Sequence, residues 1–288
     1  MKKIVSLILL MCMVLSLAAC GKVEITMQEI YDAGQTEALL KNHESVYMRD
    51  EMDGTLFRER YQTKEYVFDY FPSAGEQSDW ADFITDDLYY YYMNGGYLSY
   101  LFITPDGVTN DFSNERAERD AFALSEDALK DTIESVTEKD GRITVKTFWA
   151  QEHLKELGAT SGNFEYVLDA KTREVISVDS DYTFDDGSKF SLDIEVGYDT
   201  EEPEMLKTFL KYKNQTEDLR NVTIVSNPGT EKEVSQSFRI PKGMIVGFLW
   251  DDAFEGKVEL YADAACTEAY DPYVNTDSDL TVYVKWNV

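Results

Sequence analysis

The chain is poor in the residues that carry most side-chain chemistry, with two histidines and three cysteines in 288 residues. His43 and His153 stand in no ligand or triad spacing, so a site built on several imidazoles is excluded. Cations are also scarce: 27 Lys and Arg against 55 Asp and Glu leave a net charge of −28. That balance works against non-specific binding to nucleic acid or to anionic headgroups. There is no Gly-rich phosphate loop, no serine nucleophile elbow and no His-containing metal pattern. The expectation is therefore a non-enzyme without cofactor or metal. What the chain does have is an aromatic surplus of 4 Trp, 19 Tyr and 15 Phe. With 43% hydrophobic residues it has ample core for one large domain or two ordinary ones.

Residues 1–19 read as a signal segment: Lys2 and Lys3 form the positive start, and Ile4 to Leu17 is apolar but too short for a stop-transfer helix. Leu17-Ala18-Ala19-Cys20, followed by Gly21, resembles the lipobox of bacterial lipoprotein precursors. The resemblance implies cleavage before Cys20, its lipidation, and a short tether over 20–25, placing the chain outside the cytoplasm on a membrane. Loss of the leader removes Lys2, Lys3 and Cys12 and takes the charge from −28 to −30. Cys266 is then the remaining thiol, expected to be a half-buried structural cysteine, and no intrachain disulfide can form.

Thr26-Met27-Gln28-Glu29 has the form of a capping box opening a helix whose apolar stripe continues to Leu40, weakened at Gly34. Beyond it the period drops to two. Phe164, Tyr166 and Leu168 alternate with Glu165 and Asp169; Ile176, Val178, Tyr182 and Phe184 do so with polar neighbours; Phe190 to Tyr198 repeats the pattern. Asp140-Gly141 and Asp185-Asp186-Gly187 mark hairpins, as does Asn94-Gly95-Gly96 between two aromatic runs. Ser125 can cap a helix through Val136, although Asp131 to Glu138 also fits a strand pairing with Arg142 to Trp149.

This order predicts an α+β fold: a curved antiparallel half-barrel sheet with an N-terminal helix over 26–200, a linker over 201–217, and a small C-terminal domain over 218–288. The first part, including Glu165 to Val175 with its Asp-x-Lys-Thr turn, resembles the LolA- and LppX-like lipoprotein carriers. The C-terminal part resembles the Listeria–Bacteroides repeat, also called the internalin B-repeat. The strings that carry that likeness are Leu260 to Asp271, with Cys266-Thr267-Glu268-Ala269-Tyr270, and the closing Leu280-Thr281-Val282-Tyr283-Val284-Lys285-Trp286. That second resemblance implies a β-grasp-like module with a spacer or adhesion role and no catalytic residue.

Asp179 to Gly187 imitates a calcium loop, but Phe184 and Phe190 stand where an EF-hand needs Gly and Glu. Asp86-Asp87 and Asp251-Asp252 read as turn residues. The tyrosines at 89–92, 97 and 100 have two readings, ligand lining or cross-strand packing. The residues expected to line a ligand groove are Phe57, Tyr61, Tyr66, Phe68, Tyr70, Tyr90, Tyr92, Tyr182 and Phe184. The expected function is a lipid-anchored extracytoplasmic binding protein, and the alternative is a structural or adhesive envelope protein without a cavity. Expected partners are the membrane through Cys20, a hydrophobic small molecule or lipid, and a cell-envelope protein.

Overall fold

The computed structural model describes residues 23–72, 79–119, 126–272 and 277–287, so Cys20 and the leader lie outside the described residues. Two short helices, α1 (Met27–Ala33) and α2 (Thr36–Leu39), precede β1 (Val46–Met52), β2 (Thr55–Gln62), β3 (Val67–Phe71) and β4 (Trp80–Ile84). Then come β5 (Tyr89–Met93), β6 (Gly96–Thr104), β7 (Gly107–Thr109), α3 (Ser113–Arg119), a 3-10 turn (Glu126–Lys130), β8 (Thr132–Lys139) and β9 (Arg142–Phe148). Helix α4 (Gln151–Leu157) leads to β10 (Ala159–Asp169), β11 (Val175–Phe184), β12 (Lys189–Tyr198) and α5 (Glu204–Lys213). The chain closes with β13 (Leu219–Ser226), β14 (Val234–Pro241), β15 (Met244–Leu249), β16 (Val258–Tyr261) and β17 (Leu280–Trp286).

The expected α+β fold, a half-barrel followed by a small β-grasp-like domain, is not what forms. Among the described residues the fold is mostly antiparallel β, with about half of them in strands and 16% in helix. Among the described residues, strands pair in the order β15-β6-β5-β4-β3-β2-β1-β12 with β7 beside β6, and β11-β10-β9-β8 pair in turn. The decisive strand is β15. Met244 to Leu249 is apolar on both faces, and it pairs in parallel with β6, Met244 opposite Tyr97 and Gly247 opposite Tyr100. A strand of that composition has to be covered on both sides. Gly247 permits the pairing, because a Cβ there would stand 2.5 Å from the Tyr100 ring. The remaining C-terminal strands form a four-stranded sheet, β14-β13-β17-β16. Their buried Val222, Ile224, Val282 and Val284 belong to the same apolar core as Phe68 and Phe83.

Two compact units divide the described residues, one drawn from 23–34 and 126–191, the other from 35–119 and 192–287. In the first, β8 to β11 form an antiparallel meander. Of the two readings open for Asp131 to Glu138, the strand forms. Asp140 and Gly141 take φ of 53° and 76°, a two-residue hairpin turn that fixes β8 against β9. The capping box of α1 is present: Glu29 N–H donates to Thr26 Oγ1 at 3.2 Å, and Thr26 N–H donates to the Glu29 carboxylate at 2.7 Å. Helix α1 stops at Gly34, earlier than the stripe predicts. Asp186 Oδ1 accepts from Ser188 N–H and Oγ–H, which makes the calcium-like string a turn.

In the second unit, each strand from β1 to β5 separates two chemistries. Arg60, Asp69 and Asp82 lie in cross-strand register on one face. Tyr61, Phe68, Phe83 and Tyr90 lie in register on the other. The polar face is buried yet paired: Arg60 holds Asp69 through two bonds of 2.8 Å, Arg58 holds Asp50, and Asp82 accepts from the Tyr89 hydroxyl at 2.7 Å with Arg119 3.2 Å away. Burial outweighs those partners at Asp82 and pushes its carboxyl up to about 6.

Because folded Asp82 holds its proton more tightly than the unfolded chain does, its ionisation opposes folding at neutral pH, and the penalty fades as pH falls through 6 toward 4. The expected outcome is that the native chain gains about 1 kcal/mol relative to Asp82→Asn between pH 7 and pH 5. Urea unfolding of both proteins at the two pH values measures it. An unchanged difference would show that Asp82 ionises like an exposed carboxylate.

Candidate functional site

The aromatic face of β2 to β6 is a trough, and its rows follow from the register. The first row is Tyr61, Phe68, Phe83 and Tyr90. The next, two residues further along each strand, is Glu59, Tyr70, Ala81, Tyr92 and Tyr97. Helix α5 lies over the first row, and Phe209 and Leu206 are fully buried there. The Phe209 ring sits 5.9 Å from Phe68, 6.1 Å from Phe83, 6.4 Å from Tyr90 and 5.5 Å from Tyr97, centre to centre. Four aromatic contacts on one side chain make the first row core, not open groove.

The second row stays partly open. Where α5 begins, Pro203, Glu204, Met205 and Thr208 face Glu59, Tyr70 and Tyr97 across a cleft of about 310 Å³. Tyr97 and Met205 make its apolar side, with the Tyr97 hydroxyl 3.7 Å from the Met205 sulfur. Glu59 and Tyr70 are a directly opposed pair on β2 and β3. Each is pinned by a neighbour. The Tyr47 hydroxyl donates to Glu59 at 2.5 Å, and the Tyr70 hydroxyl donates to Asp79 at 2.8 Å. Burial and then the bond to Asp79 push the Tyr70 phenol up to about 12, so it stays neutral across physiological pH. Glu204, exposed at the rim, reaches Lys207 at 3.3 Å. Tyr70 and Tyr97 beside Glu59, with Glu204 at the rim, bring together aromatic rings and acidic oxygens, both of which attract positive charge.

The residues expected to line a groove divide accordingly. Tyr61, Tyr66, Phe68 and Tyr90 are buried in the core. Tyr70 lines the cleft, and Tyr92, outside its lining, pairs with Tyr97 at a ring distance of 5.0 Å. Phe57 is 41% exposed near the outer end of β2, against Phe71. Tyr182 and Phe184 belong to the other compact unit, where Tyr182 packs on Trp149 and Phe190. The cleft residues not foreseen are Glu59 and the start of α5. Pro203-Glu204 followed by apolar residues at 205, 206, 209 and 210, with Lys211 and Lys213 at the end, is a helix signal that the neighbouring acidic run obscures. Among the described residues, no group of three or more His, Cys, Asp and Glu side chains is placed to hold a metal ion.

No protein-family model matches the chain, and no curated protein matches it. Among solved structures, it is similar to an uncharacterized conserved protein from Thermus thermophilus, with 12% identity over 62% of this chain and 91% of that one, at a TM-score of 0.33. A LolA superfamily protein from Nitrosomonas europaea is similar at 7% identity over 64% and 97%, with a TM-score of 0.25. So is the Pseudomonas aeruginosa MucA/MucB complex, at 10% identity over 62% of this chain and 59% of that one, with a TM-score of 0.25. All these scores are low, so the functional reading rests on the chain's own side chains.

Phe209→Ala is expected to cost about 3–5 kcal/mol, the range for emptying a buried aromatic site. Phe57→Ala, at an exposed position, should cost well under about 1 kcal/mol. Chemical denaturation of the two variants compares them, and equal costs would mean that α5 does not anchor the trough.

Proposed function

We propose that the chain is a lipid-anchored extracytoplasmic binding protein without enzymatic activity, whose ligand is an amphipathic organic cation. The observation that carries the ligand class is the cleft at the start of α5, where Tyr70, Tyr97 and Met205 are apolar and Glu59 and Glu204 are acidic. A volume of about 310 Å³ suits a small ligand or the tip of a basic side chain from a partner protein. Anchoring is supported by the Leu17-Ala18-Ala19-Cys20 string. Among the described residues, no helix is long and apolar enough to cross a membrane.

Calorimetric titration with benzyltrimethylammonium and with uncharged benzyl alcohol tests the ligand class. The cation is expected to bind at least about 5-fold more tightly, a difference of about 1 kcal/mol, in the range of a partly desolvated cation over an aromatic face. Glu59→Gln should remove most of the preference and leave the fold intact, and Tyr70→Ala should weaken both probes. Equal affinity for the two probes, or no saturable binding of either, would defeat the cation reading. The anchor has a separate test. Expressed in a bacterial host, the chain should take up radiolabelled palmitate, and Cys20→Ser should lose the label.

A further inference from the structure

We infer that the chain carries a second site of the opposite charge, a groove that takes a compact phosphate-bearing anion. Helix α2 and the residues after it, the β2–β3 turn and helix α3 border an open surface groove of about 800 Å³. The polar lining is supplied by Thr36, Glu37, Lys41, Thr63, Lys64 and Arg116. Three of these are cations and one is an acid, in a chain whose overall charge is −28.

Two features prepare the groove for an anion. Arg116 Nε donates to Asp86 Oδ1 at 2.6 Å, which holds the guanidinium in place on α3. Thr63 Oγ1 accepts the backbone N–H groups of Glu65 and Tyr66 at 3.1 and 3.2 Å. With its lone pairs engaged there, the hydroxyl proton is left for an outside acceptor. Lys41 and Lys64 are exposed, and among the described residues neither is paired with a carboxylate.

Screening decides the size of the ligand. At physiological ionic strength charges beyond about 8 Å are largely screened, so a small anion meets Lys41, Lys64 and Arg116 against Glu37 and the Asp86 paired with Arg116, a local excess of one positive charge. A long polyanion such as nucleic acid would run past the groove onto the chain's acidic surface and be repelled. The groove volume exceeds a bare phosphate and suits a phosphoryl group on a small organic body, whether that body is soluble or a lipid headgroup.

The test uses the full mature chain and four probes: glycerol 3-phosphate, sulfate, vesicles of dioleoyl phosphatidylcholine, and the same vesicles with 30% dioleoyl phosphatidylglycerol. Saturable binding of glycerol 3-phosphate, at least about 10-fold tighter than sulfate and lost in Lys41→Glu/Lys64→Glu, supports a soluble phosphorylated ligand. Binding confined to the anionic vesicles, and lost in the same variant, supports a headgroup. Arg116→Gln should weaken whichever probe binds, and a native circular dichroism spectrum for each variant separates lost binding from lost fold. Binding that survives the double charge reversal, or absence of binding by every probe, overturns the inference. None of these probes reports on the cation cleft, so the two sites stand or fall separately.

Discussion

Everything in the larger unit depends on how the aromatic face of β2 to β6 is covered. An antiparallel sheet with one apolar face must bury that face, and here helix α5 does so by placing Phe209 against Phe68, Phe83, Tyr90 and Tyr97. Helix α5 begins beside the second row and covers the first with Phe209. The cleft is the consequence. Its floor is the uncovered second row, and its wall is the first turn of the helix that closes the first. Core and candidate site are consecutive rows of the same register.

The C-terminal strands extend the same logic. They add Val222, Ile224, Ile240, Met244 and Val246 to the core that contains Phe68 and Phe83. Polar contacts then fasten them to the β6–β7 hairpin. The Gln236 side chain bonds both Val108 N–H and Val108 C=O, at 2.6 and 3.1 Å, replacing a strand partner, and Asn227 donates to the Pro105 carbonyl at 3.0 Å. A segment held this way is part of the larger unit's core and not an appended module.

Much of this was legible in the sequence, and what was not has physical causes. The hairpins declared themselves because Asn94-Gly95 and Asp140-Gly141 take positive φ that few other pairs tolerate. Alternation marked the strands from Arg142 to Tyr198, where one face is polar. It could not place β15, whose apolar residues look alike from either face, nor say that a strand so far along the chain pairs with β6. Helix α5 was hidden because its stripe is short and follows Glu201-Glu202-Pro203. Without α5, whose Phe209 covers Phe68 and Tyr90, these two rings read as groove lining. Composition recognised an aromatic face, but only the covering element decides which part of such a face stays open.

The buried charges on the opposite face give the arrangement its uniqueness. Tyrosines at 89, 90, 91 and 92 would let β5 pair acceptably in more than one register, since every position is aromatic. The neighbouring strands do not allow it. Shifting β3 or β4 by one residue would turn Asp69 or Asp82 toward Phe209 and strand Arg60 without its carboxylate, leaving uncompensated buried charges, each costing several kcal/mol. The Arg60–Asp69 pair and the bond from Tyr89 to Asp82 are made in the native register. Their net contribution to stability is modest, because desolvation offsets most of the attraction. Their effect is on the alternatives, and holding Glu59 opposite Tyr70 depends on those alternatives being excluded.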